Sequence, residues 1–374
     1  MTYSENAQLA LDTINRVPAK SIPICGLHIM EHSVIERLAV TEPGKYINDP
    51  HGTYLKMQEN IGASLIYQYI ATNPLTMGDK GYEHGGGAAT TGGTVTVDGI
   101  LIDSPEAVVL HIEKFVIPRY IKLAADFNSE ETVQAIINYE SEIQRLIGPD
   151  ILKTGYGYIK FPILDYYTYG YENFFMAFAL YPEIFEKQFK TQNEYFEKHN
   201  KAAVFAHNRA KLPLFNVLDH DIADSRGLLT GLKALERSWL PYFEKAIKPA
   251  VDAGFTQLWH CDGNLTELLP ALISCGVNGF QGFQYEDGMD YVSICKMKDR
   301  NGKSLVIQAG ISVTKELPFG SPSDVRTQLD FLVENGPETG LLLGFSSSCV
   351  PGTPFTNIET AIEGLKYYRK EGRK

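Results

Sequence analysis

From about Gly155 onward the chain alternates short apolar runs with longer amphipathic ones, and this alternation constrains the fold more than any other feature. The runs at 156–160, 213–218, 256–260, 279–283, 304–308 and 340–343 read as buried strands. Between them, helical periodicity occupies 181–207, 230–253, 265–275, 289–296, 322–335 and 356–370. Short apolar strands separated by helices predict a parallel sheet covered by helices. These units, with one or two more upstream, predict an α/β chain folded as a (β/α)8 TIM barrel. A doubly wound open sheet is the second choice, weakened because no GxGxxG opens a helix after a strand.

Upstream, the first 60 residues look helical, broken by Pro18 and Pro23, and 63–70 reads as a first core strand. A glycine-rich stretch, Gly85 to Gly93, has no following Gly-Lys-Ser/Thr and is expected to be a loop, not a phosphate cradle. It leads into a hairpin, Thr94-Val-Thr-Val97, Asp98-Gly99, Ile100-Leu-Ile102, with a type I′ turn signal. Ser104-Pro105-Glu106 and Ser321-Pro322-Ser323-Asp324 are helix starts, and 130–146 is a further amphipathic helix. One domain over 1–374 is expected: an elaborated helical and hairpin part at 1–150, then a barrel core at 151–374.

With 374 residues, 44% of them hydrophobic, the chain can bury a large core. The net charge of -11, without any basic stripe, argues against nucleic acid as a partner. No apolar run approaches the ~20 residues that span a bilayer. The first residues carry no signal-peptide pattern, and five widely spaced cysteines without a CxxC pair predict reduced thiols in a cytoplasm.

In a barrel, chemistry sits at the C-terminal ends of the strands. Those ends carry Asp219-His220-Asp221, His260-Cys261-Asp262, Gln284-Tyr285-Glu286-Asp287, Gln308 and a Ser-rich loop with Cys349. His260 and Asp262, two apart on a strand, are expected to face one way and Cys261 the other. They could make half of a zinc site, which Cys349 would complete with a position left open. The plain alternative is a strand-end histidine hydrogen-bonded to an aspartate. Ten aromatic residues between Tyr156 and Phe178, Tyr167 and Tyr169 among them, are either core packing or the wall of a pocket for a planar substrate.

Several segments resemble the uroporphyrinogen decarboxylase superfamily. These are Asp219-His-Asp221-Ile-Ala-Asp224 with Trp239-Leu-Pro241, Leu258-Trp-His-Cys-Asp-Gly263, Phe319-Gly-Ser-Pro-Ser-Asp-Val325 and Ser348-Cys349-Val-Pro-Gly-Thr-Pro354-Phe-Thr-Asn357. The likeness runs from about Gly155 to Lys370. The decarboxylases of that superfamily carry an arginine-rich N-terminal substrate motif, and the matching stretch here, Pro23 to Ser33, holds no arginine. A polyanionic porphyrinogen needs cationic partners, so the resemblance favours the zinc-dependent corrinoid methyltransferases.

Carried over by position, the family's zinc ligands fall on His260, Asp262 and Cys349, with aspartate where the family has a second cysteine; the alternatives are Cys261 as the middle ligand by a local twist, or a site that has lost its metal. A carboxylate makes the site harder and suits an oxygen-bearing methyl donor. The resemblance implies the methyltransferase component of an anaerobic O-demethylase. It would move a methyl group from a methoxylated aromatic to a corrinoid (cobalamin) on a separate protein, with Glu286 or Asp221 as acid and Tyr167, Tyr169 and Gln284 against the substrate. Alternatives are methylcobalamin:thiol transfer of the coenzyme M type, a decarboxylase-like protein, and a non-catalytic barrel that binds a corrinoid protein. A homodimer is compatible with the sequence.

Overall fold

The computed structural model describes residues 2–72, 95–283, 285 and 288–373. Among these residues, eight short strands pair in parallel: β1 (Leu65–Ile66), β2 (Leu152–Lys153), β3 (Gly155–Tyr156), β4 (Phe215–Asp219), β5 (Thr256–His260), β6 (Gly279–Gln281), β7 (Val306–Ile311) and β8 (Leu341–Phe345). Six of them pair in the order β8-β7-β6-β5-β4-β3, all parallel, and β1 pairs with β2. Only Thr154 separates β2 from β3. Single parallel bridges join Ile24 to Leu343 and Cys25 to Leu65. The molecule is therefore an α/β protein on a curled parallel sheet, with helices packed outside it.

Alternation along the strands sorts side chains into two sets. Leu218, Trp259, Phe280 and Ile307 are register neighbours and lie in the core between sheet and helices. Val217, Leu258, Gly279 and Val306 form the matching row on the other face, the concave interior. Gly279 keeps that row tight: a Cβ there would meet Val306 O at 2.8 Å and Leu258 Cδ1 at 2.9 Å. The helix Glu5–Ile14 packs Ala7, Ala10 and Ile14 into the same interior cluster. Just beyond it, Arg16 donates to Ser304 O at 2.6 Å and Asn278 O at 3.1 Å, which pins the helix beneath the N-terminal ends of the strands. The opposite end is left to the loops that follow the strands.

Most elements fall where periodicity places them. The helices Pro182–Ala210, Pro322–Asn335 and Phe355–Glu371 stand close to expectation, and Ser321 and Asp324 form a complete capping box. The hairpin Val95–Val97 with Ile100–Ile102 turns through Asp98 (φ 47) and Gly99 (φ 78), as a type I′ turn requires. The stretch 85–93 lies outside the described residues.

The strand expected at 63–70 shortens to Leu65–Ile66, the helix expected at 230–253 divides at Trp239, and three further differences have a visible cause. The strand expected at 156–160 sits at 152–156, because side chains satisfy the backbone beyond it: Tyr158 N donates to Asn216 Oδ1 and Lys160 N to Asn200 Oδ1. The strand expected through 283 stops at Gln281, where Gly282 turns to φ 87. The third difference is at 23–25, which is extended and bridges two strands instead of joining the helices around it.

Candidate functional site

The strand register builds the site. Asp219 pairs with His260, His260 with Gln281, and Gln281 with Gln308, so four polar side chains occupy one continuous row across β4 to β7. That row lies one step above the apolar row Val217, Leu258, Gly279 and Val306, on the same face. All four polar residues line a cavity of about 280 Å³, whose wall also includes Tyr67 and Tyr156. Those two rings lie nearly parallel, 6.1 Å apart, and the Tyr156 hydroxyl donates to Asp219 Oδ2.

Beside the cavity, the loops after β4 and β5 bring together Asp221, His260 and Asp262, whose ligand-capable atoms all lie within 4.8 Å of one another. His260 Nε2 stands 3.9 Å from Asp262 Oδ1. The Asp262 N–H donates to Asp221 Oδ1 at 2.8 Å, and the Tyr167 hydroxyl to Asp221 Oδ2 at 3.2 Å. Two glycines let the chains approach: a Cβ on Gly263 would meet the Asp224 backbone at 2.7 Å, and one on Gly282 would meet Cys261 O at 2.7 Å and His260 Nδ1 at 3.2 Å.

The electrostatics follow from crowding acids around a buried imidazole. Burial works against a charged His260, yet Asp262, Asp219 and Asp221, helped by Gln281, outweigh it and hold the ring above its ordinary value. Asp262 is pushed up to about 6, first by burial and then by Asp221 and Asp219, with His260 pulling the other way. His260 Nδ1 and Asp262 Oδ1 are buried without a hydrogen-bond partner among the described residues. Unpartnered donor atoms on an imidazole and a carboxylate, beside a second carboxylate, fit a divalent cation with nitrogen and oxygen ligands.

His260, Asp262 and Asp221 are thus brought together as a group that the sequence had only half assembled. Cys349 lies outside it. Its backbone pairs with 28–30, through Cys349 N to His28 O at 2.8 Å and Met30 N to Cys349 O at 3.0 Å, and its side chain packs into the core. Burial pushes the Cys349 thiol up to about 12. From that loop Ser347 reaches Asp262 instead, at 3.4 Å from Oδ2. Cys261 faces away from the cavity, accepting from Ile222 N and donating to Asp262 O.

Tyr167 is half exposed beside Asp221. Tyr169 is buried elsewhere: its hydroxyl meets His111 Nδ1 at 2.9 Å, and His111 Nε2 meets Asp98 Oδ2 at 2.9 Å, which ties the hairpin to the helix Pro105–His111. Gln284 and Glu286 lie outside the described residues. The sequence did not single out Tyr67 or Gln281 for the site. Gln281 could have been found from the register alone, since it continues the row from His260.

No protein-family model matches the chain, and comparison with curated proteins finds no match. Among solved structures it is similar to a methyltransferase from Methanosarcina mazei, with a TM-score of 0.58 and 12% identity over 97% of this chain and 98% of that one. At that identity the likeness is one of fold, and it extends over nearly the whole length of both proteins.

Proposed function

We propose that the chain is a corrinoid-dependent methyltransferase acting on a methoxylated aromatic, built as a closed (β/α)8 barrel and working in the cytoplasm. The barrel reading is supported by the bridges from Ile24 to Leu343 and Cys25 to Leu65, which link the two edges of the curled sheet. The methyltransferase reading draws on the likeness to the Methanosarcina mazei protein and on the strand-end motifs. The observation that carries the choice of donor is the cluster of Asp221, His260 and Asp262 beside a polar, tyrosine-walled cavity.

In this reading the three side chains hold zinc, with Asp221 in the place first expected for Cys349. Bound there, zinc would supply a Lewis acid for an ether or phenolate oxygen. The chain's own residues place the ring against Tyr67 and Tyr156 and turn the methoxy group toward His260. The methyl carbon leaves the aryl oxygen without the bonding pair and is taken up by the reduced corrinoid of a partner protein, which must approach the open end of the sheet. The oxygen keeps the pair and takes a proton, for which Glu286 is the candidate source. A thiol acceptor is disfavoured by a cluster that includes no thiolate. Among the described residues the cavity lining carries no arginine or lysine, which disfavours a porphyrinogen.

The test is anaerobic incubation of the protein with cob(I)alamin and 2-methoxyphenol, following methylcobalamin by absorbance and catechol by chromatography. Wild type should form both, and His260→Ala should form neither above background. Absence of product from wild type, or an unchanged rate in His260→Ala, would discard the reading.

A further inference from the structure

Of the four residues in the polar row, His260 belongs to the candidate metal cluster, and Asp219 and Gln281 are each held by a hydrogen bond within the protein. The Asp219 carboxylate receives the Tyr156 hydroxyl, and His260 is surrounded by carboxylates and Gln281. Gln281 is also fixed at its amide nitrogen, which donates to Ser346 O at 2.8 Å. Gln308 differs. It is 3% exposed, its Nε2 donates to the Tyr67 hydroxyl at 3.4 Å, and its Oε1 is buried with no partner among the described residues.

A buried amide oxygen left unsatisfied costs roughly 1–3 kcal/mol, so the position is set up to gain a donor from whatever fills the cavity. Beside it, the Tyr67 hydroxyl has spent a lone pair on Gln308, and among the described residues no acceptor takes its proton. One acceptor and one donor, adjacent on a cavity wall, complement a group that both donates and accepts. A hydroxyl does both. A methoxy oxygen or carboxylate only accepts, and a bare ring carbon does neither.

We propose that Gln308 and Tyr67 read a free hydroxyl on the substrate ring, so that the cavity selects a methoxyarene bearing a phenolic hydroxyl over the same ring without one. This rests on the O-demethylation reading for the methoxy group, but the hydroxyl contact is a separate claim about binding. The hydroxyl donates to Gln308 Oε1 and accepts from Tyr67, which gives the buried amide oxygen its missing partner and the half-buried phenol an acceptor. Sites that hydrogen-bond a substrate hydroxyl reject the analogue lacking it because their own polar groups are then stranded.

The test is titration calorimetry of the purified protein, without corrinoid, against 2-methoxyphenol and methoxybenzene. Wild type should prefer the phenol by roughly 10- to 100-fold. Gln308→Leu and Tyr67→Phe should each shrink that preference to within about threefold. Equal binding of the two probes by wild type, binding of neither, or an undiminished preference in Gln308→Leu with an unchanged melting temperature would overturn the proposal. Methyl transfer from 2-methoxyphenol to cob(I)alamin judges the O-demethylation reading independently: a protein that binds the phenol selectively but transfers no methyl group loses that reading and keeps this one.

Discussion

The main-chain N–H of Asp262 donates to Oδ1 of Asp221 at 2.8 Å, so the carboxylate that joins the loops after β4 and β5 is also a member of the candidate metal cluster. This double role separates two substitutions. Asp221→Asn keeps an oxygen for the Asp262 N–H but gives up the anionic ligand, so the fold should hold while zinc affinity drops by about 10- to 100-fold or more. Asp221→Ala should lose both the metal and several degrees of melting temperature. Cys349→Ala should retain full zinc content. Metal analysis after dialysis, with zinc titration of each variant, checks the set. A chain that loses zinc on Cys349→Ala and keeps it in Asp221→Asn would reverse the ligand assignment.

Acid should destabilise the protein through two buried neutral histidines. His207 and His220 are both pulled down to about 4, principally by burial, from an ordinary value of 6.5. His220 Nε2 accepts the Leu164 N–H at 3.0 Å, a bond the ring cannot make once that nitrogen is protonated. Because the unfolded chain binds protons first, the stabilising contribution is complete above about pH 6.5. It is lost as pH falls toward 4, at roughly 3 kcal/mol per residue. Urea unfolding of wild type and His220→Gln across that range should show a shallower loss in the variant. Parallel profiles would refute the assignment.

Lys153 and Glu140 form a fully buried pair, 2.6 Å apart, and the lysine also donates to Tyr67 O and Thr154 O. Burial lowers the lysine's pKa while Glu140 opposes the shift. Removing one member strands the other, so Lys153→Met should cost about 3–5 kcal/mol, and the double variant Lys153→Met, Glu140→Leu should recover most of it. Chemical denaturation of the single and double variants decides this. If the double variant is no more stable than the single, the stranded charge is not the source of the loss.

The fold was largely legible because its strands and helices announce themselves locally. Thr256–His260 could be bounded from its own residues, and Ser321-Pro322 marks a helix start wherever it occurs. The extended segment at Ile24 and Cys25 was not legible, since only its remote partners Leu343 and Leu65 make it part of the sheet. The site shows the same division. His260 and Asp262 were visible as a pair at one strand end. Asp221 was visible only as a nearby acid, because its place in the cluster depends on a hydrogen bond between two loops. Gln308 was visible as a strand-end residue, whereas Gln281 read as an ordinary strand polar residue until the register aligned the two. Cys349 was expected in the cluster from its strand-end loop and from family position, neither of which carries information about where a thiol points once its backbone is paired to His28.

The helix Glu5–Ile14 closes the sheet from below, and its anchors have a consequence for the order of assembly. Arg16 reaches carbonyls 262 and 288 residues further along the chain. During synthesis this helix is made long before those partners and must wait for them before it can seat. Its Ala7, Ala10 and Ile14 stay uncovered meanwhile. A segment made early is thus seated late, so folding intermediates should be most prone to aggregation through the helix Glu5–Ile14.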